Sequence, residues 1–560
     1  MSVPDENRLN FIDYLVFALV LTISALIGVY YKLSGGRQRT TDEYLLANKQ
    51  MSVIPVSFSL MASFLSAISL LGVTAENYMF GTQFLVINFA YLLGTPIVAY
   101  VFLPVFYKLK VVSIYEYLEH RFNRNVRLLA SLVFTSQMII YMSIVLYAPA
   151  LALNAVTGLS KWTAIISVGI VCTLYCTIGG IKAVIWTDVF QSLLMFTAMI
   201  IIVIKGTYDV GGLDVVWERA RLTDRLQLFN LDPNPMTRHT VWSLLLGGVF
   251  IYASIYGVNQ TQVQRMLTLK TLRKSQLSLL MSWPITFLLA LLTAFTGLVI
   301  FANFWRCDPL VKHHISKADQ LLPYYVMKSL SSYPGVPGVI IAGIFCGALS
   351  SVSSFVNSLA AVSLEDYVKL FFGKRLTPKT ETIVTKLLAM FYGLLCVLLT
   401  VVADQMPGLL QASLIVFGVV GGPLLMLFTA GMCCPTCNSC GALTGFIVSL
   451  IVGFWIGFGN LLFGAKPIPL SQSIEDCPDI GFNTTQRSQT ILISEDKSLS
   501  LYNLSYMWFA AFTWITGLIV ALIVSKLCGN HNEVNPTLLT PFLRNKDNSK
   551  SDEQSDNILL

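Results

Sequence analysis

Charge is what this chain has least of. Asp, Glu, Lys and Arg make up 12% of its 560 residues, about half their usual share, which excludes an ordinary globular fold in water. The net charge of +7 is scattered over many loops rather than gathered in a stripe, which argues against a nucleic-acid partner. Histidine is nearly missing, and its five residues fall at span ends, on loops or in the tail. The sequence also lacks a P-loop, an HExxH helix and a nucleophile elbow, so an enzyme is not expected. Most of the eleven cysteines lie in apolar segments, where they act as small hydrophobes, and no disulfide scaffold follows. Cys433, Cys434, Cys437 and Cys440 have C-x2-C spacing, but the pairs overlap on a short loop, a cramped arrangement for tetrahedral zinc. Free or lipidated thiols fit that loop better. A cleavable leader is not expected, because the apolar stretch Phe11 to Tyr31 lacks a basic leading region and a small-residue cleavage site.

What is abundant is apolar length. The chain is 55% hydrophobic with a mean hydropathy of +0.68, which predicts an all-α polytopic membrane protein. Apolar runs near 11–31, 53–75, 82–106, 127–154, 161–179, 183–205, 240–259, 277–302, 336–364, 383–404, 408–431, 441–463 and 505–527 predict about 13 spans. With the N-terminus outside, 23 of the 37 Lys and Arg residues fall inside and 13 outside, with Lys205 at a span end. Positive charge accumulates on cytoplasmic loops, so N-out and C-in is the expected topology. Asn483 and Asn503 begin glycosylation sequons on the predicted outside, Asn483 being the better placed; the sequon at Asn259 falls on the inner side and should be silent. Cys307 and Cys477 both lie on outer loops, within reach of a disulfide. The polar stretch 529–560 reads as a disordered cytoplasmic tail.

Gly343 to Val362 is the most informative stretch. Gly343, Gly347, Ser350, Ser351, Ser354 and Ser358 recur every three or four residues, so one face of a lipid-length helix is small and polar. Hydroxyls and carbonyls there suit a hard cation such as sodium; the same face also suits close helix packing through the Gly343/Gly347 pair. Ser57, Ser59, Ser63, Ser66 and Ser69 cross the second span, and Gly247, Gly248, Gly257 and the polar run Asn259 to Gln264 interrupt the seventh. Interrupted segments five spans apart point to an inverted repeat with its site at midplane. Asp188 lies inside a span and needs a partner, either a cation in transit or a structural group such as Lys182 or a Trp indole. Glu76, Asp404, Glu365 and Asp366 sit at span ends, where solvation is cheap.

GGIKAVIWTDVFQS, SIYGVNQTQVQRML, LYAPALALNAVTGL and GALSSVSSFVNSLAAVSLEDY resemble the sodium/solute symporter family, in the branch of the sodium-dependent multivitamin, monocarboxylate and iodide transporters. The resemblance implies a LeuT-type 5+5 inverted repeat with broken helices. It divides the chain into 1–52 (extracellular N-terminus, first span, first inner loop), 53–205 (first half), 206–431 (outer loop and second half), 432–528 (last two spans and glycosylated loop) and the tail. It implies a sodium site made of the Ala62, Leu65 and Gly347 carbonyls with the Ser350 and Ser351 hydroxyls. Asp188, Gln191, Gln260, Ser66 and Tyr141 match residues tied to sodium coupling. Phe64, Ser69, Val73, Tyr252, Tyr256, Leu410 and Leu414 map to the substrate pocket. Ser69 departs from the Gln of the iodide transporter and the His of sugar carriers, which disfavours both substrates. The expected activity is sodium-coupled import of a small organic anion, a vitamin such as biotin, pantothenate or lipoate or a short monocarboxylate, at the plasma membrane. An iodide-type inorganic-anion symporter and a non-transporting sodium-dependent sensor or leak are the alternatives. Sodium is the only metal and coupling ion implied, and no cofactor is expected.

Overall fold

The computed structural model describes residues 9–33, 41–157, 160–372, 377–403, 408–465, 467–475, 477, 501–529 and 534–544. Asp404 and Asn483 lie outside the described residues. Every regular element among the described residues is helical, as a lipid-length apolar chain requires, because only a helix satisfies its own backbone in hydrocarbon. The helices that build the body are α1 (Phe11–Leu33), α2 (Val53–Ala62), α3 (Ala67–Phe80), α4 (Thr82–Leu109), α5 (Arg124–Thr157), α6 (Lys161–Asp209) and α7 (Ser243–Gly257). They continue with α8 (Gln260–Met266), α9 (Leu272–Asn303), α10 (Val336–Ser363), α11 (Pro378–Ala403), α12 (Leu409–Cys433), α13 (Ser439–Phe463) and α14 (Phe509–Cys528).

Ten helices among the described residues are long and apolar enough to cross a membrane, or eleven with the bent pair α2 and α3. The other two expected spans are not separate long helices. One is the first half of α6, whose 49 residues are split at Gly180 (φ 61°, ψ 176°), a conformation that a Cβ disfavours. The other is α7, which runs through two π turns and stops at Val258.

The centre is occupied by α10. In its most apolar window 94% of residues are buried inside the protein, against 22% for α1 and 33% for α13, so α10 faces protein all round while the outer helices face lipid. It packs on α6, α5, α11 and α1. Its expected polar face meets α6 at Gly343 and Ser350, and Thr261 of α8 at Ser358. At Gly347 an added Cβ would lie 2.9 Å from the Ala67 nitrogen and 3.1 Å from the Ser66 carbonyl carbon, so α10 touches the backbone of the α2/α3 break.

That break bends the span by 58°. The serine ladder explains how it is tolerated: the Ser63 hydroxyl donates to Ser59 O at 2.5 Å, and Ser66 Oγ accepts from Ile68 N at 3.1 Å as the cap that starts α3. A matching break follows α7, where Asn259 Oδ1 accepts from Thr261 N at 2.9 Å and starts α8.

Outside the membrane body, Cys307 is disulfide-bonded to Cys477 across 170 residues, as their placement on one side suggested. The tail departs from expectation. Residues 534–544 are described, with turns at Pro536–Leu538 and Pro541–Leu543, and Leu538, Leu539 and Thr540 are buried. Two prolines stiffen this segment and two leucines give it apolar surface to bury, which offsets the entropy that a uniformly polar tail could not.

Gly347→Val is expected to push α10 off the break, because the atoms it meets are backbone and cannot rotate away. Overpacking of this kind costs roughly 1–3 kcal/mol. Thermal unfolding and sodium-driven uptake should both suffer, while Gly28→Ala, where an added Cβ has nothing within 4 Å, serves as the silent control. Unchanged unfolding and uptake in Gly347→Val would contradict the packing described.

Candidate functional site

Asp188 is fully buried on α6, and its carboxylate is held from three sides. Ser59 on α2 donates to Oδ2 at 2.5 Å, and Ser350 on α10 donates to Oδ1 at 2.6 Å. Arg265 on α8 lies 3.6 Å from Oδ2 and is itself 1% exposed. The guanidinium donates to Ser59 Oγ at 2.8 Å, to Thr261 O at 2.7 Å and to the Ser354 hydroxyl. Ser354 in turn donates to Ser350 O at 2.5 Å, with Ser63 Oγ 3.3 Å away.

The partner of Asp188 is therefore neither Lys182, which sits over the Tyr31 ring, nor a Trp indole. Arg265 also does not belong with the loop cations that set topology. The polar run VNQTQVQR follows a helix break at membrane depth, which is the signal in the sequence that this arginine stays inside.

The break carries oxygen atoms beside this network. The backbone donors of residues 63–66 go to Ser59, Met61 and Phe64 carbonyls, and among the described residues none goes to Ala62 O or Leu65 O. The Gly347 carbonyl and the Ser351 hydroxyl lie on the facing helix, with Ser351 Oγ donating to Gly347 O at 3.1 Å. Gly347 is thus the point on α10 that touches the break, with Ser350 and Ser351 in the next turn. The oxygen-only chemistry fits a hard cation of low charge. Gln191, one turn from Asp188, is fully buried, and neither of its amide atoms has a partner among the described residues. Gln260 does not join this group. Its amide accepts from Ile114 N at 2.9 Å and donates to Val112 O at 2.7 Å, which fixes the loop after α4.

All seven expected pocket residues, Phe64, Ser69, Val73, Tyr252, Tyr256, Leu410 and Leu414, line a single cavity above the break. Tyr141 also lines it, stacked on Phe64 with centroids 5.9 Å apart. Sequence reasoning missed Asn88, Tyr91 and Thr286 on its wall, because residues on α4 and α9 reach the cavity only through the fold, and it missed Ser413, which lies one turn from Leu410 on α12. Among the described residues, no charged side chain lines the cavity.

Two ionic clusters flank it. On the disulfide side, Arg238 donates to both Glu76 oxygens at 3.0 and 2.9 Å and to Gln411 Oε1 at 2.9 Å. This ties the end of α3 to the start of α12. His239 lies beside Glu76 at 3.6 Å; burial pushes its ring down to about 4, so it is neutral at physiological pH and adds a polar contact rather than a second ion pair. On the opposite side, Arg127 binds Asp366 at 2.5 and 2.9 Å and Glu119 at 2.7 Å, while Ser113 donates to Asp366 at 2.8 Å. Glu76 and Asp366 were expected to be solvated at span ends. Both are buried and paired instead, because the loops fold back over those ends.

A broken-helix site beside a buried acid is a feature of ion-coupled carriers, and the comparison with known proteins agrees. Residues 44–449 match the sodium:solute symporter family. The chain belongs to that family. It is a sodium-coupled solute symporter and a multi-pass membrane protein, and its relatives are transporters rather than enzymes. The chain is 47% identical to a Drosophila melanogaster protein named provisionally as a sodium-dependent multivitamin transporter, over 90% of this chain and 84% of that one. It is 42% identical to the rabbit (Oryctolagus cuniculus) sodium-dependent multivitamin transporter, over 96% and 87%. It is 40% identical to human sodium-coupled monocarboxylate transporter 1, over 93% and 88%. In three dimensions it resembles a sodium-coupled sialic acid symporter, with a TM-score of 0.77 at 24% identity over 94% of this chain and 99% of that chain. The fold is the expected LeuT type with broken helices.

Breaking a buried ion pair by removing one partner costs about 3–5 kcal/mol, because the other charge is left uncompensated. Asp188→Asn alone should therefore reduce both the surface amount of this symporter and its sodium-driven uptake. The double variant Asp188→Asn, Arg265→Gln should recover surface amount but not sodium-driven uptake. Normal sodium dependence in the double variant would make the pair purely structural.

Proposed function

We propose that this symporter imports a small organic carboxylate across the plasma membrane together with sodium, with its N-terminus outside and C-terminus inside. In this reading the first sodium is held by the Ala62, Leu65 and Gly347 carbonyls and the Ser350 and Ser351 hydroxyls. The observation that carries the assignment is the direction of the Ser350 hydroxyl. Its proton points at Asp188, so its lone pairs are free to face a cation, and Asp188 acts as a positioning residue. Arg265 balances the Asp188 charge and keeps it from becoming a strong ligand in its own right. A site with neutral oxygens binds sodium loosely enough to release it on the low-sodium side.

A second sodium is assigned to the neighbourhood of Ser66, Ser69 and Tyr141, where the substrate cavity begins. Gln191 acts beside the first ion, through an amide with no other partner. Gln260 acts through the loop it clamps, on the side that must open for release. The substrate lies among Phe64, Ser69, Val73, Tyr252, Tyr256, Leu410 and Leu414. This wall is apolar and aromatic with a few hydroxyls, which suits the hydrocarbon part of a vitamin or short acid. A carboxylate there has no resident cation to meet, so co-bound sodium supplies the charge. Glycosylation at Asn483 completes the reading for the outer surface.

The energetics favour two ions for a scarce substrate. A monoanion moving with one sodium carries no net charge, so a tenfold sodium gradient, ~1.4 kcal/mol, sustains about tenfold accumulation. With two sodium ions one net positive charge enters, and ~60 mV adds ~1.4 kcal/mol to ~2.8 kcal/mol from the gradients. The limit rises to roughly a thousandfold, which suits a vitamin better than an abundant metabolite.

Two experiments test this. Labelled biotin, pantothenate, lipoate, lactate and iodide are offered to clamped cells with and without sodium; an organic acid should be taken up with sodium, with inward current and a sodium Hill coefficient above one. Uptake of the acid without current would exclude two-ion coupling, and uptake of iodide alone would overturn the substrate class. Separately, Ser350→Ala and Ser351→Ala should each raise the half-saturating sodium concentration several-fold at normal surface amount. Unaltered sodium dependence in both would remove the first site.

A further inference from the structure

Residues Asn535–Leu543 lie across the junction between the two repeats on the side of the molecule opposite the disulfide. The Tyr117 hydroxyl, on the short helix Glu116–Arg121 that connects α4 to α5, donates to Leu538 O at 3.1 Å. Thr540 N donates to Met432 O, in the last turn of α12, at 3.1 Å. One contact is to the first repeat and the other is to the last turn of α12, the helix that closes the second. The segment is braced internally: Asn535 Oδ1 accepts from Thr537 N at 3.0 Å, and Arg544 donates to Leu539 O at 3.1 Å and Thr537 O at 3.2 Å. Such a strap adds bonds that must break before the repeats part on this side.

Thr540 is 2% exposed in the docked strap and stands immediately before Pro541 in extended backbone (φ −61°, ψ 152°), the conformation that the residue before a proline prefers. Its backbone is bonded to the C-terminal turn of α12. A phosphate carries a charge of about −1.5 to −2, and at this buried position it meets a desolvation cost, with Arg121, the cation at this end of α12, already committed to the Gly431, Cys434 and Cys437 carbonyls. A phosphorylated Thr540 is therefore incompatible with the docked position.

We propose that Asn535–Leu543 is a releasable cytoplasmic strap, and that Thr540 is the site at which a proline-directed protein kinase releases it. The γ-phosphoryl group of ATP passes to Thr540 Oγ, the hydroxyl proton is taken by the kinase, and ADP leaves. The strap must first lift for the kinase to reach the hydroxyl, and the phosphate then prevents it from docking again. This rests on the inward-facing C-terminus of the proposed topology.

The test uses the full-length protein. Purified protein is incubated with ATP and a proline-directed kinase, and phosphate on Thr540 is read by mass spectrometry. The variant Leu538→Asp, which undocks the strap without touching the membrane body, should raise incorporation at least fivefold, and Pro541→Ala should abolish it in that background. Tryptic cleavage after Arg544 should be at least fivefold faster in phosphorylated protein and in Thr540→Glu than in unmodified protein or Thr540→Ala. Sodium-driven uptake per surface molecule should rise at least twofold in Thr540→Glu. Absence of phosphate on Thr540 in Leu538→Asp would overturn the modification site, and equal cleavage rates would overturn the coupling of phosphate to release. Unaltered uptake in Thr540→Glu would overturn the strap as a restraint on transport. A C-terminal epitope that reacts in intact cells would instead overturn the topology, a distinct failure that leaves the contacts themselves unchallenged.

Discussion

A helix interrupted at membrane depth must find partners for the backbone groups it releases, and the rest of this structure follows from how that requirement is met. At residues 63–66 the donors are satisfied within the turn by Ser59, Met61 and Phe64 carbonyls. None of these four donors goes to the Ala62 or Leu65 carbonyl, and α10 comes close enough to touch the backbone of this turn. That helix, α10, must carry glycine at 347, since a side chain there would strike the Ser66 and Ala67 backbone. It must also carry short hydroxyls on the same stripe, since any longer residue would fill the gap. The small polar face is thus a packing seam, and the same short residues are those that the proposed sodium site uses.

The buried carboxylate extends this logic. Asp188 is bonded to Ser59 and Ser350, and Arg265 links the same serine to Ser354. Four elements, α2, α6, α8 and α10, therefore meet at one charged pair. Both broken spans contribute to it, so a rearrangement at either break is felt at the other. The flanking clusters repeat the device at the two ends. Arg238 joins α3 to α12 through Glu76 and Gln411, and Arg127 joins α5 to the end of α10 through Asp366. Each cluster ties helices together on its own side of the cavity in this conformation.

The sequence made the helical class, most of the spans and the central place of α10 legible, because apolar length and a period of 3.6 are local properties. The seven pocket residues were legible only through the family likeness, and the fold brings all of them to one cavity. What sequence reasoning missed shares a cause. Arg265 looked like a loop cation because the break before it could not be told from the end of a span. Glu76 and Asp366 looked solvated because the loops that cover them are distant in the chain. Asn88 and Tyr91 gave no signal at all, since their reach into the cavity depends on how α4 crosses α7. The average polarity of the tail hides Leu538 and Leu539, which sit between two prolines and are buried.

The central claim is that a sodium ion binds at the α2/α3 break. Thermal unfolding of the purified protein in rising sodium, with choline making up the ionic strength and no substrate present, tests it most directly. A site of ~1 mM affinity in 100 mM sodium should stabilise the fold by ~2.7 kcal/mol, and the double variant Ser350→Ala, Ser351→Ala should lose most of that gain. A sodium-dependent rise of equal size in the double variant, or none in the unaltered protein, would contradict the account.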